Sequence, residues 1–182
     1  MFLYNLAYKL TGVSFGKGVK LQGLPVIAKS KTAKVIIGNN VNVKSSFLSN
    51  LIGLYQRCII VARTGGAVVE IGENSGLSGV TIYARECVKI GKDCRIGANT
   101  KIFDNDFHPV DPTLRLEASN KNMKVKPVSI GNNVFIGCNS IILKGTVIGD
   151  NTTIGAGSVV SGDIPANCVA AGNPAKVIRY FE

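Results

Sequence analysis

The stretch Phe103–Pro112, FDNDFHPVDP, contains His108, the single histidine of the 182 residues. An imidazole titrates near neutrality, so it can take a proton from a hydroxyl and return it to a leaving group. Pro109 restricts the backbone of the histidine before it. Asp104, Asp106 and Asp111 flank the ring in sequence. One of them is a candidate to hold the second ring N–H and fix the tautomer, and the spacing does not say which. No serine or cysteine stands at a recognisable nucleophile elbow, which argues against a covalent triad and for direct transfer to a substrate hydroxyl. Two other readings compete: a hydrogen-bonded surface histidine, and a metal ligand. One histidine per chain supplies three ligands only around a threefold axis, so no metal is expected.

The rest of the composition narrows the partners. A net charge of +10 favours anionic partners without choosing among them. No basic arm and no RRM, KH or zinc-finger spacing appears, so nucleic acid is not an expected ligand. The five cysteines, Cys58, Cys87, Cys94, Cys138 and Cys168, are odd in number and contain no C-x-x-C. That pattern suits small buried thiols in a reducing compartment. Residues 1–12 carry Phe2, Leu3, Leu6, Ala7 and Leu10 at helical spacing but are too short to cross a bilayer. A short amphipathic lead-in that packs on its own domain or on a neighbouring subunit is expected, with weak association at a membrane surface as the alternative. The expected location is the cytoplasm, or the inner face of the membrane if that alternative holds.

A repeat must position the histidine. Ile130, Ile136, Ile142, Ile148, Ile154 and Val160 are each six residues apart. Glycine follows at Gly131, Gly137, Gly149 and Gly155, and small or branched residues recur at Val134, Ser140, Thr146, Thr152 and Ser158. Neither a helical nor a simple strand period generates this spacing; hexads specify a parallel β-helix. Three hexads close a triangular coil of 18 residues, so Ile130 stacks under Ile148 and Ile136 under Ile154. Asn132–Asn133, Asp150–Asn151 and Gly157 suit turn backbones in left-handed conformations. The same phase returns at Ile37 and Val43, Ile71 and Leu77, and Ile90, Ile96 and Ile102. Between Val43 and Val69 it frays, as in a looser coil with a protruding turn.

The expected architecture is therefore all-β and single-domain: a lead-in at 1–12, a β-helix prism at 13–170 and a closing segment at 171–182. Ile102 and Ile130 are 28 residues apart, which breaks the register. An excursion loop near 103–127 is expected to leave the prism there. Insertions in solenoids often carry function, and His108 lies at this one's root.

These hexads, with FHPVDP interrupting them, resemble the hexapeptide-repeat acyltransferases, in particular the branch of maltose, galactoside and polysaccharide O-acetyltransferases. Ile102–Pro112 resembles that branch's catalytic segment, and the run from Lys126 to Arg179, including AGNPAK, resembles its last coils. The resemblance implies a left-handed β-helix, a homotrimer with sites between prisms, and acetyl-CoA as co-substrate. It implies His108 as general base, with backbone contacts to the coenzyme at Cys138 and, one coil later, Ala156. Lys176 and Arg179 become candidate phosphate contacts. Phe135 stands where sugar acetyltransferases often carry tryptophan. Ser78 and Tyr83 occupy the coil where those enzymes place an asparagine and an acidic residue, and with Asp106 and Phe135 they are candidate acceptor contacts. The expected activity is O-acetylation of a glycan or sugar hydroxyl. N-acylation of an amino sugar nucleotide is the near alternative, and a catalytically silent binding or scaffolding solenoid the distant one.

Overall fold

A computed structural model describes residues 12–116 and 121–182, and over them the chain is a left-handed parallel β-helix of triangular section. Three sheets form its faces. Sheet A holds seven strands, from β1 (Ser14–Phe15) through β4 (Lys34–Ile37), β7 (Val68–Ile71), β10 (Cys87–Ile90), β13 (Val128–Ile130) and β16 (Val147–Ile148) to β19 (Asp163–Ile164). Sheet B begins with β2 (Lys20–Gln22), β5 (Asn42–Lys44), β8 (Gly76–Ser78), β11 (Arg95–Ile96), β14 (Phe135–Ile136) and β17 (Thr153–Ile154). It ends with β20 (Cys168–Gly172) and the antiparallel β21 (Ala175–Tyr180). Sheet C contains β3 (Val26–Lys29), β6 (Ile59–Ala62), β9 (Thr81–Ala84), β12 (Lys101–Phe103), β15 (Ile141–Ile142) and β18 (Val159–Val160). The chain runs A, B, C and returns to A.

Side chains alternate across a strand, so each hexad buries its central aliphatic and turns its neighbours outward. The register stacks the buried ones: Ile90, Ile130, Ile148 and Ile164 on sheet A, and Leu77, Ile96, Ile136 and Ile154 on sheet B. Sheet C stacks Ile60, Ile82, Ile102, Ile142 and Val160. Most of these are at most 2 % exposed, so the core is a continuous apolar column along the axis. The expected Ile130–Ile148 and Ile136–Ile154 pairs are both present. The second hexad set has its own reason. Ser140, Thr146, Thr152 and Ser158 are fully buried, and their hydroxyls donate to the carbonyls of Gly137, Val160, Pro165 and Gly155 respectively. Each is small enough for a corner and satisfies a polar group there.

The glycines after the aliphatics serve close approach. A Cβ on Gly91 would lie 2.4 Å from the Gly131 carbonyl oxygen, and one on Gly137 would lie 2.4 Å from the Ala156 nitrogen. Coils about 4.8 Å apart leave no room for it. Left-handed backbone falls where the sequence suggested, at Asn133, Asn151 and Gly157.

Two excursions leave the prism. One lies at the B–C edge between β5 and β6 and contains a short 3-10 turn, Phe47–Ser49. It closes at its base through the buried Ser45, whose Oγ accepts from the Cys58 N–H at 2.8 Å. The other lies at the C–A edge between β12 and β13 and includes α1 (Pro112–Arg115). It leaves and returns through a neck: Lys126 N–H donates to Asp104 O at 2.8 Å, and Asn105 bridges Val125 antiparallel. The stack therefore continues past the break in register. The expected amphipathic lead-in falls almost wholly on residues 1–11, which lie outside the described residues. Among the described residues no helix is long and apolar enough to cross a membrane.

Two outcomes follow. Gly91→Ala, far from either excursion, is expected to lower unfolding free energy by about 1–3 kcal/mol, read by denaturant titration. The cysteines should differ in reactivity. Cys58, Cys94 and Cys168 are buried, and burial pushes the Cys58 thiol up to about 11. Native protein treated with iodoacetamide at pH 8 should be modified at Cys87 and Cys138, with the other three reacting only after denaturation, as read by mass spectrometry.

Candidate active site

The loop root is built around three aspartates with three different tasks. Asp104 is fully buried, and its carboxylate accepts from the backbone N–H groups of Arg85, Glu86 and Cys87 at 2.7–2.9 Å. It also accepts from Asn105 Nδ2 at 3.0 Å. Asp104 therefore ties the loop to the corner of the preceding coil. Asp111 caps α1, accepting from Thr113 N–H and Oγ1–H at 2.8 and 2.6 Å, and these bonds hold its carboxyl below the usual range. Asp106 forms an ion pair with Lys144 at 2.5 Å through Oδ1, while its buried Oδ2 has no hydrogen-bond partner among the described residues. Asp106 is the one of the three with an oxygen still to place.

His108 is exposed and follows a tight turn in which its N–H donates to Asp106 O at 2.7 Å. Phe107, at the centre of that turn, has φ +62°, a conformation costly for an aromatic residue. Packing sustains it. The Phe107 ring lies 5.1 Å from that of Tyr83 and 5.0 Å, edge-on, from that of Phe103, and both partners stand on the outer face of sheet C. The aromatic trio therefore fixes the direction in which His108 leaves the prism. Nothing in the spacing of the sequence marked Phe107; its signal was an aromatic residue directly beside the histidine.

A second feature lies on the other side of sheet C. At the B–C edge a groove of about 300 Å³ runs along the corner, lined by Ser78, Ala98, Phe135, Cys138 and Ala156, with Asn50 and Ile52 from the first excursion. Cys138 and Ala156 stack one coil apart, and Gly157 N–H donates to Cys138 O at 2.8 Å. The N–H groups of Cys138 and Ala156 themselves make no hydrogen bond among the described residues. Those two N–H groups are thus candidate donors to a ligand in the groove, which Phe135 and Ile52 also line. Its far wall is pinned by Asn50 Nδ2 to Ser78 Oγ at 3.1 Å, Asn99 Nδ2 to Gly53 O at 2.9 Å and Gln56 Nε2 to Thr81 Oγ1 at 2.7 Å. That wall was legible in the sequence only as a frayed repeat. It exposes Phe47, Leu48, Leu51, Ile52 and Tyr55, each at least 65 % accessible.

The remaining candidates divide between the two features. Ser78 and Phe135 line the groove; Tyr83 and Asp106 belong to the His108 edge, so Ser78 and Tyr83 are not neighbours in a shared pocket. Lys176 is exposed and pairs with Ala171, one strand beyond the Gly155–Ala156 corner. Arg179 lies farther along β21, with its guanidinium 5.3 Å from the Phe181 ring. Among the described residues no group of three or more His, Cys, Asp or Glu side chains is arranged to hold a metal ion.

The bacterial transferase hexapeptide family (six repeats) matches residues 127–162, and the hexapeptide repeat of succinyl-transferase matches 87–102. Galactoside O-acetyltransferase of Escherichia coli (strain K12) is 44 % identical over 115 residues, 63 % of this chain and 55 % of the relative. The chain spans about half the length of the curated relatives it matches. A galactoside acetyltransferase solved with coenzyme A superposes with TM-score 0.53 at 31 % identity, covering 90 % of this chain and 64 % of the other. A maltose O-acetyltransferase from Clostridium difficile 630 superposes with TM-score 0.55 at 30 % identity, covering 93 % and 70 %. With its stacked hexads, interrupting histidine loop and bare-backbone groove, the chain belongs to the hexapeptide-repeat acyltransferases.

Proposed function

We propose that the protein is an acetyl-CoA-dependent O-acetyltransferase that acts on a glycan hydroxyl, with each site shared between two subunits of a homotrimer. One observation carries this reading: His108 and the groove lie on opposite edges of the same face, and that face is the most apolar of the three. Sheet C turns outward Val26, Ala28, Ile59, Val61, Tyr83, Phe103, Ile141 and Val159, with Thr81 and Lys101 among them. Sheet A turns outward Lys34, Glu70, Lys89, Ser129 and Asp163 interleaved with Ile36, Val68 and Val147, and sheet B Lys20, Asn42, Lys44, Arg95 and Phe135. Burying sheet C is therefore the least costly way to assemble copies. Three such faces turned toward a threefold axis would bring the C–A edge of one prism against the B–C edge of the next. His108 would then face a neighbour's groove.

The chemistry follows from the parts. His108 takes the acceptor hydroxyl's proton as the oxygen attacks the thioester carbonyl carbon. The resulting oxyanion is met by a bare backbone N–H, for which Cys138 is the candidate; such a donor is typically worth about 2.7–4 kcal/mol. The carbon–sulfur bond then breaks, and the imidazolium returns its proton to the departing thiolate. Asp106, through the oxygen not engaged by Lys144, is the carboxylate available to orient the imidazole or meet the acceptor. The pantetheine arm would lie along Cys138 and Ala156, with Lys176, and farther along Arg179, available to its phosphates. Two of the similar proteins named above, galactoside acetyltransferase with coenzyme A and maltose O-acetyltransferase, support both the co-substrate and a sugar acceptor. Five free cysteines and a soluble thioester substrate favour the cytoplasm, with polysaccharide assembly as the setting.

An acceptor screen with acetyl-CoA, read by thiol release and product mass, tests the activity. His108→Ala should lose about 10²–10⁴-fold in acceptor-dependent turnover. Cys138→Ala should remain near wild type because its donor is backbone, and coenzyme A should protect wild-type Cys138 from alkylation. Full turnover by His108→Ala would refute the mechanism. Co-expression tests the shared site: His108→Ala and the groove-filling Ala156→Trp, each inactive alone, should together recover about a quarter of wild-type activity in randomly mixed trimers. No recovery from mixed assemblies would place both halves within one chain.

A further inference from the structure

We infer that the outer face of sheet B is a binding trough for an anionic glycan chain, leading into the thioester groove; this rests on the function proposed above and names its acceptor class. A trough of about 610 Å³ runs over the N-terminal strands of that face. Its lining includes Lys20, Lys44 and Arg95 and no acidic side chain. The strand register sets Lys20, Asn42, Gly76, Arg95 and Phe135 in one row. Five strands at the usual spacing extend about 19 Å, longer than a single sugar ring.

Arg95 supplies the strongest argument. Gly76, beside it in the row, has no side chain, and a Cβ there would lie 3.8 Å from Arg95 Cδ, so the arginine lies low across the floor. Its Nη1 donates to Asn74 O at 2.8 Å and Cys94 O at 3.0 Å. Those two bonds fix the guanidinium plane and leave the edge formed by Nε and Nη2 without a bond among the described residues. That edge is the two-donor fork that matches a carboxylate or phosphate, and among the described residues no carboxylate occupies it. A restrained, unpaired fork in a basic trough is prepared for an anion from outside.

Continuity and direction assign that anion to the acceptor. Ser78, Gly97 and Phe135 line both the trough and the groove. The coenzyme candidates Cys138, Ala156 and Lys176 run from there toward the C-terminal coils, while the trough runs the opposite way. An acceptor lying in it would approach the thioester from the side that the coenzyme leaves open, with its charged units over Arg95, Lys44 and Lys20.

Isothermal titration of the full chain with oligogalacturonides of one to six units, matched malto-oligosaccharides and UDP, at two ionic strengths, tests the assignment. Oligogalacturonide affinity should rise with length and fall with salt, and the neutral series should not bind. Combined Lys20→Ala, Lys44→Ala and Arg95→Gln should weaken the longest oligomer about tenfold. Arg95→Lys alone, which keeps the charge and loses the fork, should also weaken it. Length-independent binding, binding unaltered in these variants, or no binding overturns the inference. Binding of UDP that is weakened by these substitutions, with the oligomers silent, assigns the face to a sugar nucleotide and also overturns it. Acetyl-CoA titrated in parallel separates the two readings. Coenzyme binding without oligomer binding defeats only the trough, and the reverse defeats the proposed transferase.

Discussion

Backbone hydrogen bonds hold successive coils at strand spacing, and this one distance governs everything else in the molecule. It requires glycine where corners meet, as at Gly91 over Gly131, and it admits small, branched or hydroxyl-bearing residues just inside them. It also makes every coil nearly the same as the next. A solenoid so constrained has little freedom in its body, and chemical individuality falls to the outward positions and to segments that leave the edges.

Both excursions show how such a segment can be specific without disturbing the stack. Each closes at its base, through Ser45 and Cys58 in one and through Asp104, Asn105 and Lys126 in the other. Asp104 matters most in the second, because its buried carboxylate gathers three backbone N–H groups and the Asn105 amide. That anchoring allows the strained Phe107 backbone to persist, held by two aromatic neighbours on the sheet. The exposed histidine is thus set by a rigid neighbour on each side, which is what the proton-transfer role proposed for it requires of its support.

The three faces divide the remaining work. Sheet C is the most apolar of them, flanked by the histidine loop on one edge and the groove on the other. Sheet B is polar and basic, and its outer row passes through Phe135 into that groove. Neither half of the proposed chemistry is complete on one edge, and the face between them is the one least suited to water. In the proposed trimer, placement of the halves and patterning of the face would be two expressions of the same requirement for assembly.

The six-residue period by itself determined the parallel β-helix, the buried columns at Ile130–Ile148 and Ile136–Ile154, the one-coil stacking of Cys138 with Ala156, and the loop rooted at His108. These follow because the repeat fixes each residue's distance from the axis and its partner 18 positions on. The tertiary structure alone decided which aspartate anchors, which caps and which keeps an unplaced oxygen, that Tyr83 supports the histidine edge while Ser78 lines the groove, and that the frayed segment after Val43 forms the groove's wall. Each of those depends on contacts between coils and loops, such as Asp104 with Arg85–Cys87, Phe107 with Tyr83, and Asn99 with Gly53. Such contacts have no period of their own, because the residues that make them lie outside the register that the stack imposes.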